Sequence, residues 1–244
     1  MNGLIKKKRI IVTGGSGRFG SILKSIKTDH SVLFPKKKEL NILNEKSILS
    51  YLKKKKPDII IHLAGLSRPM DIHEKQINHS IDLNIIGTAN IVKVCSEFKI
   101  KIIYFSTHYV YPCKKGNYSE KDSLLPINNY AWSKLGGESS VQMYKNSLIL
   151  RVCMTEKPFV HKKAFKDIKT NFIFHEDVAQ ILYKNEILNL KGVLNIGGNT
   201  KTIYNFAKKF NSKIIPISKK NSFFKDFPNP SINIKKLKRI QSKS

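Results

Sequence analysis

The feature that most constrains this chain lies near its start. Arg9–Thr13 (RIIVT) is a short apolar, β-branched run with lysines before it and glycines after it, the pattern of a buried parallel strand. Gly14-Gly15-Ser16-Gly17-Arg18-Phe19-Gly20 follows, and Ile22, Leu23 and Ile26 then repeat at helical spacing over Ser21–Ile26. In a strand–loop–helix unit each glycine has a separate task. Gly14 permits the tight turn out of the strand, Gly17 lets backbone approach a ligand, and Gly20 lets the helix pack closely on the sheet. The N-terminus of such a helix favours an anion such as a pyrophosphate.

Strands and helices go on alternating. Ser31–Phe34 reads as a strand ending at Pro35, 45–56 as an amphipathic helix with Ile48, Leu49 and Leu52 inward, and Ile59–Leu63 as a strand. Helix is expected over Ser80–Phe98, strand over Ile100–Ser106, helix over Tyr130–Tyr144 and strand over Leu148–Cys153. Strands separated by helices of this length imply an α/β fold, a Rossmann-type doubly wound parallel sheet. Residues 1–150 are expected to form the Rossmann-type domain and 151–244 a small C-terminal lobe. About 171–198 return to the main sheet through a strand at Gly192–Ile196. Residues 154–170 read as a loop-rich excursion, Glu176–Asn185 and Ile203–Phe210 as helices, and the tail from Lys219 as an aromatic cluster (Phe223, Phe224, Phe227) before a mobile basic end.

Charge narrows the function classes. The 244 residues carry 45 Lys+Arg against 17 Asp+Glu, a formal net charge of +28. Forty of the cations are Lys and five are Arg (Arg9, Arg18, Arg68, Arg151, Arg239). Arg is the better residue for bidentate phosphate and base contacts, and the Lys runs are scattered, so compositional bias explains them better than nucleic-acid binding. The field still favours anionic ligands. No stretch reaches the roughly 18 to 20 apolar residues of a membrane helix, and the lysine-rich start has no signal-peptide pattern. Three widely spaced cysteines, Cys95, Cys113 and Cys153, suit neither a disulfide framework nor a zinc cluster. A cytoplasmic protein without metal or membrane partner is expected.

Two clusters carry chemistry. A dinucleotide fold that reads a free ribose 2′-hydroxyl places Asp or Glu after the second strand. Here Pro35-Lys36-Lys37-Lys38 stands there, Glu39 comes too late, and Arg18 can reach the adenosine side. Cations in place of the carboxylate favour a 2′-phosphate, hence NADPH, with NADH possible. The second cluster is Tyr130-Ala131-Trp132-Ser133-Lys134. Tyr and Lys four apart share a helix face, and an ammonium near the phenol lowers its pKa from about 10 toward a usable acid. Ser106-Thr107 ends an apolar strand, where ligand-facing groups of such sheets collect. Thr107 can orient a carbonyl, Tyr130 can donate its proton, and Lys134 can hold Tyr130 and the nicotinamide ribose.

At this point the chain resembles the extended short-chain dehydrogenases/reductases, and among them the dTDP-4-dehydrorhamnose reductase group. The matching pieces run in family order. They are Thr13-Gly14-x-x-Gly17-x-x-Gly20, His62-Leu63-Ala64-Gly65, Asn84-x-x-Gly87-Thr88, Ser106 to Tyr111, Tyr118-x-Glu120-x-Asp122-x-x-x-Pro126, Tyr130-x-x-Ser133-Lys134-Leu135-x-Gly137-Glu138, and then Arg151. Asp177-Val178-Ala179, Val193 to Gly198, and Pro230 to Asn233 with Lys236-Leu237 complete the series. The resemblance implies catalytic Thr107, Tyr130 and Lys134. It also implies a cofactor held by the loop Gly14, Gly17, Arg18, Phe19 and Gly20, by Lys36 and Lys37, Asn41 and Ile42, Ala64 and Gly65, and by Tyr130 and Lys134. The implied reaction is NADPH-dependent reduction of a keto group on a nucleotide-activated sugar, in deoxysugar or surface-polysaccharide synthesis.

The chain departs from the family in three places. His108 stands where Asp is frequent, Asn41 replaces an Asp near the adenine, and the segment between Arg151 and Phe172 is much shorter. His108 and Arg151 are candidate substrate contacts, Arg151 being as well suited to a structural ion pair and His108 to an exposed loop. His62 is expected in the core, Cys113 and Cys153 are bystanders, the role of Glu138 is open, and a homodimer rests on family analogy. Two other readings share these motifs. An NAD-dependent nucleotide-sugar epimerase or dehydratase uses the same Tyr and Lys, and a non-catalytic dinucleotide-sensing protein needs the glycine loop alone.

Overall fold

The computed structural model describes residues 7–220 and 222–242. Most of the lysine-rich start read for a targeting segment, and the last two residues of the basic tail, lie outside them. Six strands form one sheet: β1 (Arg9–Thr13), β2 (Ser31–Leu33), β3 (Ile59–His62), β4 (Lys101–Thr107), β5 (Ser147–Val152) and β6 (Gly192–Ile196). Their spatial order is β2-β1-β3-β4-β5-β6, and every neighbouring pair is parallel. β3, β4 and β5 are buried along their whole length, because helices cover both faces of the sheet.

Strand side chains alternate between those faces. Ile10, Val12, Ile61, Ile103 and Leu150 pack with Phe19 and Leu23 of α1 (Arg18–Ser25) and with residues 178–182. Ile11, Ile60, Ile102 and Ile149 pack with Ile48 and Leu52 of α2 (Glu45–Lys55) and with Ile91 and Val94 of α3 (Gly87–Glu97). The chain leaves β1 toward β2 and returns to β3 on the other side, so a crevice opens above the carboxyl ends of β1 and β3. There the two loops touch: a Cβ on Gly14, whose φ is +73°, would lie 2.5 Å from the Ala64 backbone nitrogen. Only glycine fits.

The helix expected over Ser80–Phe98 is interrupted. Ile77–Ser80 is α-helical, Ile81–Ile86 forms a π-turn, and α3 begins at Gly87. Asn84 sits in the wide turn with its amide fully used. Its Oδ1 accepts from Leu66 N at 2.7 Å, and its Nδ2 donates to Leu66 O at 2.9 Å and Ser133 Oγ at 2.8 Å. The turn thereby ties the loop after β3 to α4 (Asn129–Gln142).

Beyond β5 the 154–170 stretch is more ordered than a loop excursion. Lys163–Phe165 pairs in parallel with Ile215–Ile217, and Lys169–Thr170 pairs antiparallel with Lys201–Thr202. Phe159, Phe174, Phe206, Ala207 and Ile214 form a separate small core beside them. Residues His175–Leu182 (α5) return to cover the main sheet, followed by α6 (Ile203–Ala207). The basic end expected to be mobile is a helix, α7 (Lys235–Gln241), with Leu237 buried in the main core and Lys236 Nζ donating to Val193 O at 2.6 Å. Ile234, Leu237 and Ile240 recur every three residues, an apolar stripe within the lysines that gives the segment one face to bury.

Candidate active site

Four segments meet above the sheet: the glycine loop, residues 63–68 after β3, the end of β4, and the first turns of α4. Asn128 caps α4 by accepting from Ala131 N at 2.8 Å, which sets Tyr130 in the first turn and Lys134 one turn later. Thr107, the last residue of β4, is buried, its hydroxyl accepts from Tyr109 N at 3.3 Å, and it stands near the Tyr130 phenol. Burial pushes the Tyr130 phenol up, while the Thr107 hydroxyl and the charges of Arg68 and Arg18 pull it back.

Lys134 is buried, and burial lowers its pKa to about 7, opposed by the Glu138 carboxylate one turn along the helix. Its ammonium lies 4.2 Å from the centre of the Tyr104 ring, a cation–π contact. The charges that pull the phenol down are those of Arg68 and Arg18, while the Lys134 charge acts with burial to hold down the neighbouring His62 and His73 rings.

His108 is no exposed loop residue. It is 4% exposed, its Nδ1 donates to Val152 O at 3.2 Å, its Nε2 has no partner, and burial holds its pKa at about 4. It is therefore neutral near pH 7, with Nε2 a free acceptor beside Thr107. Arg151 is corrected as a substrate contact. Its Nη2 and Nε donate to Glu138 Oε1 at 2.5 and 3.1 Å, its Nη1 donates to Tyr111 Oη at 2.8 Å, and it is 5% exposed. The guanidinium is committed to a structural ion pair that also uses Glu138.

Arg18 does not turn toward the adenosine side. Its Nη2 donates to Ser67 Oγ at 3.2 Å and its Nε lies 3.4 Å from Glu156 Oε1, across the crevice from β2. Lys36 and Lys37 are exposed in the turn after β2, which Glu39 closes by accepting from Lys36 N at 2.8 Å. Asn41 Oδ1 accepts from Leu43 N at 3.1 Å, and Ile42 is buried against Gly87. The Phe19 side chain faces the core, its ring 5.1 Å from that of Phe105, so only its backbone faces the loop. His62 is the satisfied core residue the sequence suggested: Nδ1 lies 2.7 Å from Thr13 Oγ1 and Nε2 3.1 Å from Thr88 Oγ1. Cys113 and Cys153 are buried, and burial pushes both thiols up, Cys153 to about 12.

Three residues at the site had no sequence signal. His73 is fully buried with its ring 5.1 Å from that of Tyr130, and its Nδ1 lies 2.6 Å from Ser80 Oγ. Glu156 and His175 approach from beyond β5. None belongs to a spaced motif; only the fold brings them in. Among the described residues no group of His, Cys, Asp and Glu could hold a metal ion, and no helix is long and apolar enough to cross a membrane.

The crevice fits a dinucleotide. Gly17 stands at the N-cap of α1 with no side chain capping the helix, and a Cβ on Gly20 would lie 2.6 Å from Gly14 O. The first-turn amides are thus left to a phosphate at a point where backbone can approach. Residues 8–161 match the family model described as the RmlD substrate binding domain. The chain belongs to that family. Within it and around it, the chain is 31% identical over 158 residues to methionine adenosyltransferase 2 subunit beta of Xenopus laevis, covering 61% of this chain and 47% of that one. It therefore spans about half the length of that relative. It is 27% identical over 266 residues to dTDP-D-glucose 4,6-dehydratase of Dictyostelium discoideum, covering 87% and 61%. Among solved structures, dTDP-4-dehydrorhamnose reductase of Bacillus anthracis in complex with NADP superposes with a TM-score of 0.83 at 21% identity, covering 97% of this chain and 93% of that one. The Yersinia enterocolitica dTDP-4-dehydrorhamnose reductase does so at 0.80 and 25%, covering 96% and 92%. The Rossmann-like fold of the family is therefore this chain's fold.

Proposed function

We propose that the protein reduces a keto group on a nucleotide-activated sugar with NADPH, NADH being the weaker donor. The observation that carries this reading is the meeting of Thr107, at the end of β4, with Tyr130 and Lys134 of α4 beside a glycine-lined crevice under positive field. NADPH, when bound, supplies a hydride to the carbonyl carbon. Tyr130 gives its phenolic proton to the carbonyl oxygen, so the ketone becomes an alcohol. Thr107 orients that oxygen, and His108 Nε2 offers an acceptor to a neighbouring hydroxyl. Lys134 stands behind Tyr130, poised near neutrality to return a proton to it.

The cofactor is held by the glycine loop, Ala64 and Gly65, with Lys36 and Lys37 toward a 2′-phosphate and Asn41 and Ile42 toward the adenine. The division at about residue 150 between cofactor-binding and substrate-binding parts belongs to the same reading. So do a cytoplasmic place in deoxysugar or surface-polysaccharide synthesis and a homodimer, the last supported by exposed Ile81 and Trp132 on helical segments flanking the sheet and by exposed Met143 just past the end of α4. A second reading, a dinucleotide-sensing regulatory protein, is supported by the relative whose name makes it a subunit.

Tyr130→Phe separates the two. As the general acid, Tyr130 contributes about 10²–10⁴-fold to turnover, while the thermal shift given by NADPH survives its removal. A reductase loses turnover and keeps the shift. A sensor shows the shift and no NADPH consumption with any keto-sugar nucleotide in either form. No shift with either dinucleotide overturns both readings.

A further inference from the structure

Arginine is scarce in this chain, five residues beside forty lysines, so its positions are informative: Arg is selected over Lys where a planar fork must meet a planar anion. Arg151 serves the buried ion pair and Arg9 meets Asp58 at the surface at 4.0 Å. Arg18 opens α1 after the glycine loop and Arg68 lies in the loop after β3, and the two converge on a single carboxylate brought by a third segment after β5. Arg68 Nη1 lies 2.7 Å from Glu156 Oε2, and Arg18 Nε lies 3.4 Å from Glu156 Oε1. Each carboxylate oxygen thus faces one guanidinium, across the mouth of the crevice.

Three observations indicate that this cluster receives a ligand as well as closing an ion pair. Two cations on one anion leave a net positive charge, and the arginine side chains are 47% and 41% exposed against 19% for Glu156. Both guanidiniums act electrostatically on the Tyr130 phenol, so the cluster lies on the side of the crevice that holds the candidate reacting group. His175, 7% exposed, feels the charges of Glu156, Arg18 and Arg68, and its Nδ1 has no partner.

We propose that Arg18 and Arg68 form an anion cradle for a diphosphate group, with Glu156 as the internal carboxylate that the diphosphate displaces. The inference rests on reading the crevice as a dinucleotide and nucleotide-sugar site. It adds Arg68 and Glu156 to that reading and gives Arg18, which the sequence placed on the cofactor, a shared anion. A diphosphate presents oxygens to two guanidiniums as the carboxylate does, with more charge. Both the cofactor and a nucleotide sugar contain one.

Titration calorimetry on the full chain tests this with inorganic pyrophosphate, dTDP and NADPH separately, using wild type, Glu156→Gln, Arg68→Gln and Arg68→Lys. Pyrophosphate is expected to bind wild type weakly, about tenfold more tightly to Glu156→Gln, and not measurably to Arg68→Gln. Arg68→Lys, which keeps the charge and loses the fork, should fall between. Tightening of dTDP but not NADPH in Glu156→Gln assigns the cradle to the substrate's diphosphate, and the reverse to the cofactor's. Equal pyrophosphate affinity in all four proteins, or weaker binding by Glu156→Gln, overturns the proposal. Far-UV circular dichroism on each variant verifies that it is folded before binding is compared. If neither dinucleotide shifts wild-type melting while pyrophosphate still follows the variants, the reductase reading fails and the cradle stands.

Discussion

Lys134 is buried against the Tyr104 ring, and Glu138 offsets only part of its desolvation. Its pKa is about 7 in the folded chain, against about 10.4 in an unfolded one. The folded state is therefore penalised fully below pH 7, where protonation is complete in both states, and less as pH rises toward 10. Lys134→Met, which keeps the volume and removes the charge, should raise the melting temperature most at pH 6 and progressively less at pH 8 and 9.5 by calorimetry. Arg151 presents the opposite case. Its removal strands the Glu138 carboxylate, whose Oε2 already has no partner, and breaking a buried pair costs about 3–5 kcal/mol. Chemical denaturation of Arg151→Met should show a loss of that size, smaller when Glu138→Gln is added. At this scale the Tyr130–Lys134 spacing was legible, because helix geometry alone puts the two on one face. The partners of Arg18 and Arg151 were not. A guanidinium's choice between a ligand and a carboxylate 13 or 138 residues away is made by tertiary packing.

Helix α4 crosses the π-turn closely because Gly137 lacks a side chain. A Cβ there would strike Asn84 O and come within 2.6 Å of Tyr104 Oη. Gly137→Ala should cost about 1–3 kcal/mol by overpacking, read as a lower denaturation midpoint, and should loosen the Asn84 bonds that hold the loop after β3. The strands of the main sheet could be read to within a residue or two, since a parallel strand covered on both faces is a continuous apolar run. The π-turn could not. Ile81–Ile86 has ordinary helical composition, and the interruption follows from Asn84 bonding Leu66 and Ser133, residues on two other elements. The short strands over 163–170 were missed for a similar reason: with two or three residues each, they are fixed by their partners and carry no period.

The whole molecule carries +28 charges on a fold whose described surface shows few ion pairs, so self-repulsion weighs against the compact state. Raising sodium chloride through the range where the Debye length falls from about 30 Å to about 8 Å should raise the melting temperature. Duplex DNA binding, if measurable, should vanish over the same range. The outer strand β6 bears differently on how the protein behaves in bulk. Lys236 holds the carbonyl of Val193 and Glu120 Oε1 takes the Asn195 amide at 3.0 Å, so the groups with which another sheet would pair are already engaged. A chain lacking residues 235–242 would lose the Lys236 half of this guard together with the buried Leu237. Its failure would appear as turbidity on storage, growing with protein concentration, beyond what its lower melting temperature alone accounts for.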